Sequence, residues 1–101
     1  MNKTRRKELG QVLYGLGKIQ DREDLYAWIN ILDNLKDEEQ DYYDNIPENL
    51  QYSQRAEDSE AAIDNLDEAS DLLNDAYDAK EFDKDSELIK HAIDKIEDAR
   101  W

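Results

Sequence analysis

The sequence contains no cysteine, and histidine, proline and glycine are scarce. Its 101 residues include one His, one Pro and three Gly. Without Cys there is no disulfide framework and no thiol chemistry. Few Gly and Pro leave helices largely uninterrupted, and strand-forming residues are also rare, with one Val and one Thr. These absences predict an all-α protein.

Long apolar runs and a balance of charge are also missing. The most apolar stretch, residues 25–32, is too short to span a bilayer, and the basic start lacks the apolar segment of a signal peptide. There are 27 Asp and Glu against 13 Lys and Arg, which gives a net charge of −14. Such a charge repels nucleic acid and anionic membranes. We therefore expect one cytoplasmic domain over residues 1–101 that contacts neither directly.

The charge is distributed unevenly along the chain. Residues 1–20 carry five basic residues and a single acid, whereas residues 33–83 carry 18 acids and three basic residues. Apolar residues nevertheless recur with helical period, which favours folding over disorder. We expect the basic start, Lys3 to Lys7, to pair with acids of a neighbouring helix or of a second subunit.

The apolar pattern of the first half changes register at Asp21. Thr4 is suited to cap a first helix, and Asp21 followed by Asp24 is suited to cap another. The sequence therefore allows either one bent helix over about 4–44 or two helices with a break near 20–22. Unbroken, this helix would be roughly 60 Å long at 1.5 Å per residue.

The clearest break is the segment 44–49, because Pro47 disfavours helix at the residue before it. Helices are predicted to follow over 53–80 and 84–100, the last one capped by Asp83 or Asp85. The predicted fold is an elongated antiparallel helical hairpin or a slender three-helix bundle. Because such a rod buries little surface alone, we expect a homodimer.

The second predicted helix carries an acidic stripe, a row of carboxylates spaced three or four residues apart. Its seven members are Glu57, Glu60, Asp64, Asp67, Asp71, Asp75 and Asp78. They span roughly 31 Å, so successive carboxylates lie about 5 Å apart along the helix axis, a spacing of the same order as phosphates on DNA. The stripe indicates either a mimic of nucleic acid or a solvated face of an acidic protein. An apolar row beside it is expected to form core or oligomer contacts: Ile63, Leu66, Leu73 and Tyr77.

Aromatic residues cluster around the predicted Pro turn. Tyr42, Tyr43 and Tyr52 either pin the turn together or, where exposed, anchor a partner, since Tyr is enriched at interface hot spots. Trp28 and Trp101 are expected to pack against apolar helix faces.

No catalytic or metal-binding pattern is present. Asp83, Asp85 and Glu87 imitate the start of a calcium loop, but Leu88 occupies the position that requires Gly. His91 is the only histidine and has no Cys or second His to complete a metal site. The sequence predicts no enzyme, no cofactor and no metal.

Several segments together resemble a group of short acidic helical proteins of bacteriophages and prophages. The resembling segments are Arg5-Arg6-Lys7, residues 37–40, the turn Asp-Asn-Ile-Pro-Glu-Asn-Leu-Gln over 44–51, Ser53 with Arg55, and Ala62-Ile63-Asp64-Asn65-Leu66-Asp67-Glu68-Ala69. The chain differs from them between Leu9 and Leu35 and after Phe82. The resemblance covers about residues 3–8 and 37–73 and implies a phage protein of the host bacterial cytoplasm, without a mechanism.

Three functions are consistent with these observations. The first is a phage-encoded inhibitor or modulator that presents the acidic stripe, with the turn tyrosines as anchors, to a basic surface of a host defence or nucleic-acid-binding protein. The second is a structural or scaffolding homo-oligomer whose acids only keep it in solution. The third is a sponge for a small nucleotide signal, held between helices near Arg5, Arg6 and Lys7.

Overall fold

Four α-helices and one short 3-10 helix account for most of the chain in a computed structural model that describes residues 1–100. The elements are α1 (Lys3–Leu16), α2 (Arg22–Asp44), the 3-10 helix (Glu48–Leu50), α3 (Gln54–Asp78) and α4 (Glu87–Ala99). Residues 1–100 contain no strand. The all-α prediction is confirmed; the predicted packing of Trp101 lies outside the described residues.

The first half of the chain forms two helices and not one bent helix. Helix α1 ends at Leu16, and α2 begins after Asp21, whose side chain accepts a hydrogen bond from the backbone N–H of Asp24 at 2.9 Å. Ile19 of the intervening turn is buried in the core and so packs this turn against the helices. The first helix is capped by Asn2 and not by Thr4, because the Asn2 side chain accepts from the N–H of Arg5.

Close contact between α1 and α2 requires a glycine. A Cβ atom at Gly15 would overlap the ring of Trp28, so the ring packs directly on the α1 backbone. This contact allows α1 to pack antiparallel against α2, whereas a continuous helix would place α1 in line with α2. The predicted unbroken 60 Å helix is therefore wrong, while the alternative of a break is confirmed.

The second half follows the prediction except for one cap. The turn after Asp44 includes Pro47 and the 3-10 helix, and Ser53 then caps α3 by accepting from the N–H of Ala56 at 3.3 Å. The last helix is capped by Ser86 and not by Asp83 or Asp85, because the Ser86 hydroxyl accepts from the N–H of Leu88. The Asp83 side chain accepts instead from the N–H of Asp85 within the preceding loop.

The four helices pack as an antiparallel bundle in which each helix has two neighbours. Helix α2 packs on α1 and α3, and α4 packs on α3 and α1, so α1 and α3 occupy opposite corners. The molecule measures 49 × 22 × 18 Å, which confirms the predicted elongated shape. Its core is built mainly from Leu, Ile and Ala of all four helices, with Leu9, Leu25, Leu32, Leu66, Leu73 and Ile96 fully buried.

None of the helices within residues 1–100 is both long enough and apolar enough to cross a membrane.

Candidate protein-docking surface

The acidic stripe forms the outer face of α3. Helix α3 runs for 25 residues without a break, and its apolar positions turn inward, so the carboxylates three and four residues apart turn outward. All seven stripe residues are exposed. The predicted helix and the predicted placement of the stripe on one side of it are therefore both present.

The stripe is almost free of compensating charge. Among the ion pairs of residues 1–100, only one involves a stripe carboxylate: Lys36 Nζ lies 3.1 Å from Asp67 Oδ1. A second lysine, Lys95, lies 2.8 Å from Glu68, on the neighbouring position of α3 that faces α4. The remaining six stripe carboxylates face solvent.

Helix α2 widens the acidic surface, which the sequence pattern did not reveal. Burial lowers the pKa of Lys36, but its hydrogen bond to Asp67 and the negative charges of Asp67, Asp33 and Asp37 outweigh burial and raise this pKa above its ordinary value. Asp33 and Asp37 of α2 therefore lie close to Lys36, whose amino group contacts the stripe at Asp67. The sequence shows that Asp33 and Asp37 are four residues apart and so share one face of α2. It does not show that this face adjoins the stripe, because that depends on the packing of α2 against α3.

Asp33 is also fixed in place. The Ser70 hydroxyl of α3 donates a hydrogen bond to Asp33 Oδ1 at 2.7 Å. This bond joins the two helices at the edge of the acidic surface and holds one of its carboxylates rigidly. A preorganised carboxylate loses less conformational entropy when a partner binds.

One carboxylate of this region is buried and serves a different purpose. Glu39 of α2 is fully buried and accepts a hydrogen bond from the Ser59 hydroxyl at 2.8 Å. Its other oxygen lies 3.5 Å from Arg5 Nε and 3.7 Å from the amino group of Met1. Arg5 and Ser59 come from α1 and α3, so this cluster ties three helices together near the Pro turn.

Sequence reasoning missed Glu39, although a signal existed. The buried positions of α2 are Leu25, Ile29, Leu32 and Leu35, followed by Glu39 at the same helical spacing. A charged residue on an apolar face predicts a buried partner. Arg5 was expected to pair with a neighbouring helix or with a second subunit, and it pairs within the chain.

The three tyrosines around the Pro turn differ in solvent exposure. Tyr52 is 95% exposed, whereas Tyr42 and Tyr43 are half-buried. The Tyr42 ring lies 5.7 Å from the Arg5 guanidinium carbon. Tyr42 also lines a small cavity of about 200 Å³ with Ile46 and Leu50, so it packs within the turn. Tyr52 is exposed and can contact a partner.

The apolar row of α3 is used inside the molecule. Leu66 and Leu73 are fully buried, and the partly buried Tyr77 packs against the core, with its ring 5.6 Å from that of Tyr26; Ile63 is also partly buried. Contacts of Leu66 and Leu73 with a second copy would require the bundle to open.

The basic residues near the N-terminus do not converge on one pocket. Arg5 is buried beside Glu39, whereas Arg6 and Lys7 are exposed. A groove of about 500 Å³ near Tyr42 contains Arg55 as its cation and also Asp58. Within residues 1–100, no three His, Asp or Glu side chains come together to hold a metal ion.

No protein-family model, no curated protein and no solved structure matches this chain. The resemblance to short phage proteins therefore stays a prediction from the quoted segments.

Proposed function

We propose that the chain is an acidic protein-binding inhibitor or modulator, similar to a DNA mimic, that presents the acidic stripe to a basic surface of a nucleic-acid-binding protein. In the setting that the resemblance implies, the chain is encoded by a phage, and the partner is a host defence nuclease or transcription factor. The stripe takes the place of phosphates, and Tyr52 supplies an apolar anchor.

The observation that carries this proposal is the pattern of like charges along α3. Every successive pair of stripe residues is spaced three or four positions apart, and each such pair destabilises an exposed helix by about 0.2–0.5 kcal/mol. A face that served only to keep the protein in solution would alternate Glu with Lys at these spacings and gain stability. The stripe instead costs stability, as expected of a surface that is arranged for binding.

The C-terminal end of α3 adds to this cost, as do the C-terminal ends of α2 and α4, which also lack basic residues in their last turns. The C-terminal end of a helix favours basic residues because of the helix dipole. The last turn of α3 contains none and includes Asp75 and Asp78. Negative charge therefore continues to the end of the helix where it is least favourable.

The test compares capture of host proteins by the wild type and by two variants of equal charge. The stripe variant carries Asp64→Asn, Asp67→Asn and Asp71→Asn. The matched control carries Asp94→Asn, Glu97→Gln and Asp98→Asn, which are exposed residues of α4. We expect the wild type and the control to retain a nucleic-acid-binding protein that duplex DNA displaces, and the stripe variant to lose it.

Salt dependence provides the second measurement. Affinity of the captured protein should fall steeply between about 0.1 and 1 M salt, where the Debye length shrinks from about 10 to about 3 Å. Tyr52→Ala should weaken the same complex by roughly 1–2 kcal/mol if Tyr52 is an anchor. A complex that is insensitive to salt, or that the stripe variant forms equally well, would contradict the proposal.

A further inference from the structure

The outer face of α1 is basic and aromatic, and it lies on the opposite side of the bundle from the acidic stripe. This α1 face comprises Lys3, Arg6, Lys7 and Tyr14 of the helix together with Lys18, which follows the helix end at Leu16; all five residues are exposed. None of the five ion pairs found within residues 1–100 involves its four cations. The single acid of the first 20 residues, Glu8, is half-buried.

The α1 face also has the features of a contact surface. Tyr14 is 71% exposed at its centre, and Lys18 Nζ lies 5.5 Å from the centre of the Tyr14 ring. Arg100, the residue that follows α4, reaches over Gly10 and donates a hydrogen bond to the backbone oxygen of Arg6 at 2.9 Å. This contact brings a further guanidinium to the same side of the molecule, where an exposed aromatic ring and several cations form a docking surface.

We infer that the α1 face binds the acidic stripe of a second copy of this chain. Helix α1 is about 20 Å long and Lys18 lies just beyond its last residue, so the cations fit within the roughly 31 Å of the stripe. Lys3 and Lys7 are spaced four residues apart, as are Asp67, Asp71 and Asp75. The two faces therefore carry opposite charges, and the Lys3–Lys7 pair has the spacing of one turn of the stripe.

The net charge of the protein does not prevent this contact. At physiological ionic strength the Debye length is about 8 Å, whereas the smaller dimensions of the bundle are 22 and 18 Å. A copy that docks on the α1 face is therefore screened from the stripe on the far side of the same molecule. Local attraction between the two faces then outweighs repulsion between the whole molecules.

The positions of the faces determine the kind of assembly. Because α1 and α3 occupy opposite corners, two copies can form only one α1–stripe contact between them. A dimer formed in this way leaves one α1 face and one stripe unoccupied. The contact is heterologous, because it joins two different surfaces, so further copies can add to form a stack or close a ring. The assembly differs from the predicted homodimer and uses no residue of the apolar row. It also covers the stripe, so a basic partner would compete with it.

Sedimentation velocity of the purified protein tests this inference without any partner. We expect the weight-average mass to rise continuously past that of a dimer as concentration reaches the millimolar range in about 0.1 M salt. In about 1 M salt the protein should remain monomeric. A monomer at every concentration, a dimer that does not grow, or association that salt does not weaken would overturn the inference.

Charge reversal identifies the two faces. An α1 variant carries Lys3→Glu, Lys7→Glu and Lys18→Glu, and a stripe variant carries Asp64→Lys, Asp71→Lys and Asp75→Lys. Each variant alone should associate at least about tenfold more weakly, and an equimolar mixture should regain association because both contacts become complementary again. Both variants keep a negative net charge, so their overall charges cannot cause the recovery.

A control separates contact from overall charge. Asp94→Lys, Glu97→Lys and Asp98→Lys change the charge of α4 as much as the stripe variant changes that of α3. This control should associate at least as well as the wild type, and circular dichroism should show that every variant keeps its helices. Loss of association in the control, a mixture that does not recover, or binding of duplex DNA to the α1 face without self-association would overturn the inference. The proposed binding of a basic host protein is measured separately with dilute protein, so either proposal can fail alone.

Discussion

Carboxylates occupy two contrasting environments in this molecule. Glu39 is fully buried and has partners on two other helices, whereas Asp71 of the stripe is exposed and has none among the described ion pairs and hydrogen bonds. The first stabilises the packing of α1, α2 and α3 near the Pro turn. The second contributes nothing to packing and is repelled by its neighbours. The contrast separates acids that hold the fold from acids that are available for binding.

The largest expected effect comes from removing the buried carboxylate. Glu39→Leu leaves the Arg5 guanidinium, the Met1 amino group and the Ser59 hydroxyl without their partner in a buried site, which should lower the free energy of unfolding by about 3–5 kcal/mol. Urea unfolding followed by circular dichroism measures this loss. Arg5→Met combined with Glu39→Leu should recover part of it, because an apolar pair replaces the Arg5–Glu39 ion pair while the Met1 amino group stays unpaired. A loss below about 1 kcal/mol for the single variant would contradict the role of this cluster.

An intermediate effect is expected where the stripe meets a cation. Lys36→Met removes the ion pair with Asp67, which is partly exposed, and should cost about 0.5 kcal/mol at neutral pH. The pKa of Lys36 is raised above its ordinary value of 10.5 by the hydrogen bond to Asp67 and the acids around it, in spite of its burial. The stabilisation is therefore complete below about pH 10.5 and is lost as the pH rises through the raised pKa.

Unfolding of the wild type and of Lys36→Met at a series of alkaline pH values checks this dependence. The difference in stability between the two proteins should shrink above about pH 10.5, where Lys36 of the unfolded chain loses its proton, and disappear above the raised pKa of Lys36 in the folded protein. Lys84→Met is the control, since Lys84 is exposed in a loop and forms no ion pair within residues 1–100. A difference that stays constant up to the end of the series would rule out the ion pair as its source.

The smallest effect on stability should come from the stripe itself. Asp71→Asn removes a charge that is repelled by Asp67 and Asp75, each four residues away, and should change the free energy of unfolding by no more than about 0.5 kcal/mol, in the stabilising direction. Thermal unfolding at low and high salt measures it, and the gain should shrink as salt screens the repulsion. A marked destabilisation would show that Asp71 has a structural partner and does not belong to the free surface.

The parts of the fold that depend on local sequence were predictable. Pro47 marks the turn between the halves, and the spacing of Leu66 and Leu73 marks the buried face of α3. The outward orientation of the stripe residues follows from the same spacing. These features depend on neighbouring residues along one helix, and the helical period alone determines them.

The remaining features depend on contacts between helices. The sequence near Asp21 allowed both a bend and a break, and the decision comes from packing of Trp28 on Gly15, 13 positions apart in the chain. Partners of Glu39 and the position of Asp33 beside the stripe likewise required knowing which helices are adjacent. The sequence also predicted the wrong N-cap residues, because Thr4 and Asp83 are residue types that cap helices as well as Asn2 and Ser86 do.

The packing of Trp28 on Gly15 gives the protein an internal optical probe. The chain has two tryptophans, so Trp101→Phe leaves Trp28 as the only indole, half-buried where α1 meets α2. Its emission should shift to longer wavelength when α1 detaches and water reaches the ring. This single signal would follow the docking of α1 in real time, separately from the helix content that circular dichroism records.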